Sequence, residues 1–367
     1  MAHVISLFNH KGGVSKTTTV YHLGWKLASK GKKVLIVDAD PQCNLTGLTL
    51  GLDDYEALRK FYENKNNTDI FNSLAPVFSL DNGYKLSSEK TTITKTKNDN
   101  LYILAGNIRF SELDTQIATA LTSSTTLPVL RQFVGAFNNL IRKISEEHNI
   151  DYVIVDMSPS VSATNQCILM SSDYFIVPIS PDFYCYQAID SLSNVLPRWV
   201  KDIDSFKHGT DSPLPEKSPK MLGFITQNYR IYTTDSLDSE TPKRMSKAYS
   251  EWLDRIKNVS NKKLIPSLSK ENMVIDSDIF KESCNYDAPF HLAGVQNFSG
   301  LTPVSQSLSK PIFELTKEDG NWTGARWVHM KNNKEYGIKV NIEDADRVYD
   351  KLADSVMNMI RMDVNKV

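Results

Sequence analysis

His10-Lys11-Gly12-Gly13-Val14-Ser15-Lys16-Thr17-Thr18 is the stretch that decides the fold. It follows a β-rich run, Val4-Ile5-Ser6-Leu7-Phe8, and leads into a helix-like segment from Thr17 to Ser29. A glycine-rich loop between a strand and a helix, closed by Lys-Thr, suits the phosphates of a nucleotide. Glycines let backbone N–H groups converge on an anion, and the helix N-terminus adds its partial positive charge. Lys16 then reaches the β- and γ-phosphates, and Thr17 supplies a hydroxyl for Mg2+. A chance Gly-Gly turn flanked by lysines is the bland alternative; three further blocks argue against it.

Each of those blocks contains an apolar strand with polar residues at its end. Val34-Leu35-Ile36-Val37 runs into Asp38-Ala39-Asp40-Pro41-Gln42. Tyr152-Val153-Ile154-Val155 runs into Asp156-Met157-Ser158-Pro159-Ser160. Tyr174 to Ile179 and Met221 to Asn228 read as the next two core strands. Ligands of open α/β sheets bind at the C-terminal ends of strands. Between the blocks, Phe110 to Leu121 and Leu127 to His148 carry apolar residues at helical spacing, and the second leads straight into a strand as a βαβ crossover should. The expected fold is α/β: a mostly parallel twisted sheet with helices on both faces.

The ordinary phosphate-loop pattern G-x-x-x-x-G-K-[ST] fails here, because His10 and Ser15 occupy its glycine positions. What remains, Lys11-Gly12-Gly13 followed by Lys16-Thr17, resembles the deviant Walker A motif of the ParA/MinD family, in its ParA-like branch. The resemblance makes Lys11 the signature lysine, which crosses to the phosphates held by a partner protomer. It makes Lys16 the loop lysine, with Gly12, Gly13, Val14, Ser15, Thr17 and Thr18 completing the nucleotide loop. Ser15 stands in place of the family's usual glycine. The block at Asp38 to Gln42 resembles switch I, in which Asp40 orients the attacking water and helps hold Mg2+ through water, supported by Asp38. Asp156 matches the Walker B carboxylate on the Mg2+ hydration shell, and Ser158 departs from the family's proline. Asn165 falls at an asparagine kept after switch II, or is a surface-helix residue. Asn228 falls where relatives contact adenine, or is a strand-end turn residue. The implied catalytic set is Lys11, Lys16 and Asp40, and the implied metal set Thr17, Asp38, Asp40 and Asp156.

The resemblance implies a homodimer formed on ATP binding that slowly hydrolyses ATP with Mg2+. It further implies DNA partitioning through non-specific DNA contact and a ParB-like or other adaptor protein. The formal net charge is only −1, so DNA contact needs a local basic patch. The candidates are Lys243, Arg244, Lys247, Arg255 and Lys257, in a helix expected over 242–257, with Lys262 and Lys263 just beyond. Interspersed Glu251 and Asp254 allow the alternative of a solvated helix face. The competing function is a nucleotide switch that positions a protein cargo without DNA. A metabolic ligase or an iron–sulfur reductase on the same loop is a third reading, and Cys167 and Cys185 do not match a shared-cluster pattern.

Composition sets the remaining expectations. The cysteines are scattered with no C-x-x-C pair and the histidines are dispersed, which fits free thiols in a reducing cytoplasm (nucleoid-associated if DNA is bound) and no zinc site. No apolar run approaches the roughly 18 residues of a membrane span. One domain is expected over 1–367, with elaborations at 53–127 and 267–340. Residues 81–100 read as an exposed hairpin or loop and Leu264-Ile265-Pro266 as a strand. Ser309 sits at a glycine place before Lys310-Pro311, and a hairpin is expected around Lys331 to Lys334. Glu343 to Met362 is a final helix whose polar face is dominated by Asp344, Asp346, Asp350 and Asp354, so it should pack on the core and not on a membrane.

Overall fold

The computed structural model describes residues 2–366 apart from 53, 65–66, 80–84, 88, 124–126, 208–213, 230, 233–243, 246, 285–288, 299 and 332–333, with backbone alone at 228–229, 231–232, 244–245 and 334. The strands are β1 (His3–Leu7), β2 (Val34–Ala39), β3 (Thr94–Lys95), β4 (Leu101–Leu104), β5 (Tyr152–Met157), β6 (Tyr174–Ile179), β7 (Lys220–Tyr229), β8 (Ile231–Tyr232), β9 (Arg244–Met245), β10 (His291–Gln296), β11 (His329–Lys331) and β12 (Lys334–Tyr336). The helices are α1 (Lys16–Ser29), α2 (Asn44–Leu50), α3 (Tyr55–Glu63), α4 (Ile70–Leu74), α5 (Asp114–Ser123), α6 (Arg131–His148), α7 (Ala163–Met170), α8 (Phe183–Asp202), α9 (Lys247–Val259), α10 (Ile265–Lys270), α11 (Ser277–Ser283), α12 (Thr302–Leu308), α13 (Gly324–Trp327) and α14 (Ile338–Lys366).

Eight strands form one sheet in the order β10-β7-β6-β1-β5-β2-β4-β3, parallel throughout except where β3 runs against β4. Side chains of a strand alternate between faces, yet β2, β5 and β6 are buried at every position, so both faces of the sheet are covered. Register puts Asp38 beside Asp156 at the ends of β2 and β5, next to the end of β1 and the loop that follows it. Helix α1 lies very close to this floor. A Cβ on Gly24 would stand 2.7 Å from Ile36 Cγ2, so only glycine lets the helix approach.

Helix α6 buries Val134, Phe137, Leu140, Ile141 and Ile144, the stripe read from its spacing. Helix α14 buries Ala345, Leu352, Val356, Met359 and Ile360. Its acidic face is spent on α1: Lys26 pairs with Asp346, and Lys30 pairs with Asp350 at 2.7 Å and Asp354 at 2.9 Å. That pairing, with the apolar stripe, is why the last helix packs on the core.

Two expectations are corrected, and two elements go beyond the expectations. Leu264-Ile265-Pro266 is not a strand: a π-helical turn over Ser260–Leu264 runs into α10, where Pro266 fills a first-turn position that needs no N–H partner. The helix expected over 242–257 begins at Lys247, and Arg244–Met245 is instead a short strand paired antiparallel with β8. Helix α8 starts at Phe183, because the Asp182 carboxylate caps it by accepting from Cys185 N at 2.9 Å. Strand β10, inside the elaboration expected over 267–340, adds a further parallel strand beyond β7. The hairpin near the C-terminus is present as β11 and β12; its tip, 332–333, lies outside the described residues.

Candidate functional site

The loop after β1 is shaped from below by Asn9. This fully buried amide donates to Pro178 O at 2.9 Å and accepts from Lys11 N at 3.0 Å, tying the loop to β6. Ser15 takes the left-handed backbone conformation, φ 56° and ψ 34°, that the family pattern reserves for glycine, and α1 begins at the next residue. The first turn of α1 holds no acidic residue, so its free N–H groups and dipole face the cleft without competition. Lys16 is buried, its ammonium donating to Asn9 O at 3.1 Å and Lys11 O at 3.4 Å. Burial lowers its pKa, against the pull of Asp156 and Asp40. An anion entering here meets a cation that has lost most of its water.

Asp40 accepts from Gln42 N at 3.0 Å and borders the cleft, as read. Asp38 does not fit the metal group to which the sequence assigned it. One oxygen accepts from Thr46 N at 2.8 Å and Thr46 Oγ at 2.6 Å, and the other from Asp40 N at 3.3 Å. Thr46 Oγ in turn accepts from Gly106 N at 2.8 Å, and a Cβ on Gly106 would stand 2.9 Å from the Asp38 carboxyl carbon. Asp38 therefore fastens switch I to the end of β4. Burial pushes its carboxyl up to about 6 in spite of these donors.

Asp156 is the reverse case. Both its oxygens are buried and, among the described residues, neither has a hydrogen bond of full geometry, the Thr17 hydroxyl being the donor beside it. Burial, with Asp38 next to it, raises its pKa; the nearby Thr17 hydroxyl and Lys16 ammonium pull the other way. A buried carboxylate with spare acceptors beside a threonine hydroxyl is a fitting donor set for the water shell of Mg2+. Among the described residues no three His, Cys, Asp or Glu side chains converge to hold a metal alone, so water and phosphate oxygens would complete its coordination.

Lys11 is turned onto its own chain: Nζ donates to Asp182 Oδ2 at 2.6 Å. Asn165 is buried, not a surface residue. Its amide donates to Ser158 O (2.9 Å) and Ser160 O (2.8 Å) and reaches both serine hydroxyls at 3.1 Å, pinning switch II. Gly12 to Thr18, Asp40, Gln42, Asn107 and, from α12, Pro303 and Gln306 line a cleft of about 1500 Å³. Sequence reading missed Asn9, Asp182 and Gln227. The last, at the end of β7, donates to Thr19 Oγ at 2.7 Å and fastens α1. The available signals were an amide before the loop and an aspartate three residues before a helical N–H. The Asn228 side chain and Lys243 lie outside the described residues, as does the Arg244 side chain.

The remaining basic candidates do not share one face. Arg255, Lys262 and Lys263 border a cleft against α8, whereas Lys257 faces Pro289 and His291 beside β10. Lys263 is paired with Asp190 at 2.6 Å, and Lys247 is exposed. No helix among the described residues is long and apolar enough to cross a membrane.

A family model described as AAA domain matches residues 2–206. The chain is 28% identical over 196 residues to the sporulation initiation inhibitor protein Soj of Bacillus subtilis, which is 53% of this chain and 65% of that protein. It is 25% identical over 196 residues to the chromosome partitioning protein ParA of Caulobacter vibrioides, 53% of this chain and 62% of the relative. The matches thus span somewhat less than two thirds of these relatives' length. The structure superimposes on the cell division ATPase MinD of Pyrococcus furiosus with a TM-score of 0.52 at 16% identity, over 97% of this chain and 99% of the other, which shows a shared fold.

Proposed function

The chain belongs to the AAA domain family matched over residues 2–206, as a ParA/MinD-type deviant Walker A ATPase, and from that premise we propose that it is an ATP-driven switch that pairs two copies of itself and lets them part on hydrolysis. The observation that carries this reading is the juxtaposition of the acid-free N-terminus of α1 and buried Lys16 with the buried carboxylate of Asp156, which keeps spare acceptors beside Thr17. Lys16 and the loop N–H groups bind the phosphates of ATP. Thr17 and Asp156 would hold Mg2+, which supplies charge neutralisation between the phosphates when bound. Asp40 orients the attacking water. Asn165 keeps switch II beside the transferred phosphoryl group.

The dimer reading draws on the apolar surface around the cleft. Ile108 follows β4 and is 73% exposed, Val161 follows β5 and is 46% exposed, and Tyr184 follows β6 and is 69% exposed. All three come after the C-terminal ends of parallel strands, the edge that also bears the loop. Large exposed apolar residues gathered on one edge mark an interaction face. Lys11 leaves Asp182 when that face closes and stabilises charge developing on the neighbour's phosphates. Lys11→Ala should bind a fluorescent ATP analogue normally yet lose hydrolysis, and light scattering with Mg2+ and a non-hydrolysable analogue should find it monomeric. A dimeric Lys11→Ala protein would remove the trans role, and a wild type that binds no ATP would remove the whole reading.

Two finer readings follow. DNA partitioning is supported by the relative whose name is chromosome partitioning protein. Positioning of a protein cargo is supported by the scattering of the basic side chains over different faces. A mobility shift with non-specific duplex DNA separates them: DNA-bound protein should lose affinity steeply with salt.

A further inference from the structure

A second concave surface, distinct from the phosphate cleft, lies between the first two turns of α8 and the helix α9. It encloses about 430 Å³. Trp252 is its centre: Phe183 meets it edge-on with ring centroids 5.8 Å apart, Tyr186 lies at 6.4 Å, and Arg255 spreads its guanidinium 4.6 Å from the indole ring. Val259, Lys262 and Lys263 complete the lining. Lys263 is neutralised by Asp190, but no carboxylate among the described residues pairs with Arg255 or Lys262. An aromatic floor bordered by two cations that no described carboxylate pairs, with Trp, Tyr and Arg together, has the make-up of an interaction hot spot.

We propose that this cleft docks a short acidic peptide segment of a partner protein, with an aromatic or aliphatic side chain seated on Trp252 and carboxylates on Arg255 and Lys262. Duplex DNA suits it less. A phosphate backbone needs a row of cations, and here Lys257 faces another side while Lys263 is already paired with Asp190. The proposal rests on the switch reading in one respect, since the cleft adjoins the lysine latch. Phe183 follows Asp182, whose two oxygens cap α8 and hold Lys11. A peptide pressed against Phe183 bears on the turn that keeps Lys11 at home, so docking and release of that lysine are coupled.

The test is selection of a random short-peptide display library on the full chain, with the Arg255→Glu/Lys262→Glu double variant as counter-target. Enriched peptides should pair Asp or Glu with an aromatic residue or Leu. Synthesised, they should bind the wild type at least about tenfold more tightly than the variant, roughly 1.4 kcal/mol, and lose as much on Trp252→Phe. Basic or uncharged winners, equal affinity for both proteins, or no enrichment would overturn the proposal. A duplex-DNA probe that binds the wild type, weakens in the variant and is displaced by no peptide would reassign the cleft to nucleic acid and overturn it as well. A fluorescent ATP analogue should bind wild type and variant alike, which establishes that the variant folds. Failure of the wild type to bind that analogue sinks the switch reading and leaves the peptide result standing.

Discussion

The floor of the phosphate cleft buries two carboxyl groups, Asp38 and Asp156; where the C-terminal region packs on α1 and β7 two histidines are buried, His22 and His291. His22 is wholly buried, accepts from Ile312 N at 3.0 Å through Nε2, and stacks on Tyr349 with centroids 4.8 Å apart. His291 lies 2.8 Å from Thr226 Oγ. The two regions respond to pH with opposite signs. Burial raises the carboxyls, so the folded floor holds protons that the unfolded chain has released, and stability falls as pH rises above the ordinary carboxylate range. Burial lowers both imidazoles to about 4, so the unfolded chain takes up protons first, and the seam loses stability as pH falls from the ordinary histidine range towards 4. The floor buries carboxyl groups whose ionised form is disfavoured until a cation enters, which is the signature of a ligand site; the seam carries neutral rings whose polar atoms find partners, which is the signature of packing.

The largest effect should come from the floor. Lys16→Ala removes the buried cation, and turnover should drop on the order of 1,000-fold with ATP binding lost, read by phosphate release and nucleotide titration. Retained binding would mean that the floor is not a phosphate site, and its contrast with the seam would have no functional meaning.

Asp156→Asn divides function from stability. The amide keeps the volume but not the charge, so hydrolysis should fall about 100-fold while the protein without nucleotide becomes more stable near neutral pH, because an uncompensated buried carboxylate has gone. Added Mg2+ and ATP should then give a smaller rise in melting temperature than in the wild type. A variant less stable without nucleotide would identify Asp156 as a structural group like those of the seam.

At the seam, moving from pH 7.5 to 4.5 should cost about 2–3 kcal/mol through His22, because the unfolded imidazole takes up its proton roughly two pH units above 4.5 while burial holds the folded one down to about 4. Hydrogen exchange, corrected for intrinsic rates, should show α14 and β10 losing protection while β2 and β5 keep theirs. Uniform loss across the sheet would erase the distinction between the two regions.

Asn165→Ala probes a group that sits between the two cases, structural in its bonds and functional in what it holds. Losing an amide shared by two serine carbonyls and hydroxyls should cost about 1–2 kcal/mol, with a lower turnover and unchanged ATP affinity. A parallel loss of ATP affinity would show that it shapes the loop as well as switch II.

These regions also differ in how far they could be read from sequence. The floor was legible because each group follows an apolar run within a few residues, and strand ends are where such sheets bind ligands: Lys16, Asp40 and Asp156 are all local to their motifs. Asp38 was misread because sequence reveals that it is a carboxylate but not that Thr46 and the Asp40 N–H use its oxygens. The seam was hidden because its contacts join residues far apart, His22 to Ile312 and Thr226 to His291. Leu264-Ile265-Pro266 has a strand's composition and only tertiary packing makes it helical. Strand β10 contains Ala293 and Gly294, which weaken its local signal.

One pair of residues sets the two regions against each other at small scale. Ser15 in the loop and Ser309 after α12 both stand where the family pattern has glycine, and both are left-handed, with φ of 56° and 46°. Replacing either by Gly relieves a Cβ clash with the following carbonyl, a gain of up to about 1 kcal/mol against some loss of chain entropy. Ser309 has a second reason to change: its hydroxyl is buried without a partner. Ser309→Gly should therefore stabilise by about 1–2 kcal/mol, more than Ser15→Gly, in thermal melts without nucleotide. If Ser15→Gly gave the larger rise, backbone strain would be concentrated at the phosphate loop, and the floor would be the more strained region in its backbone as well as in its charges.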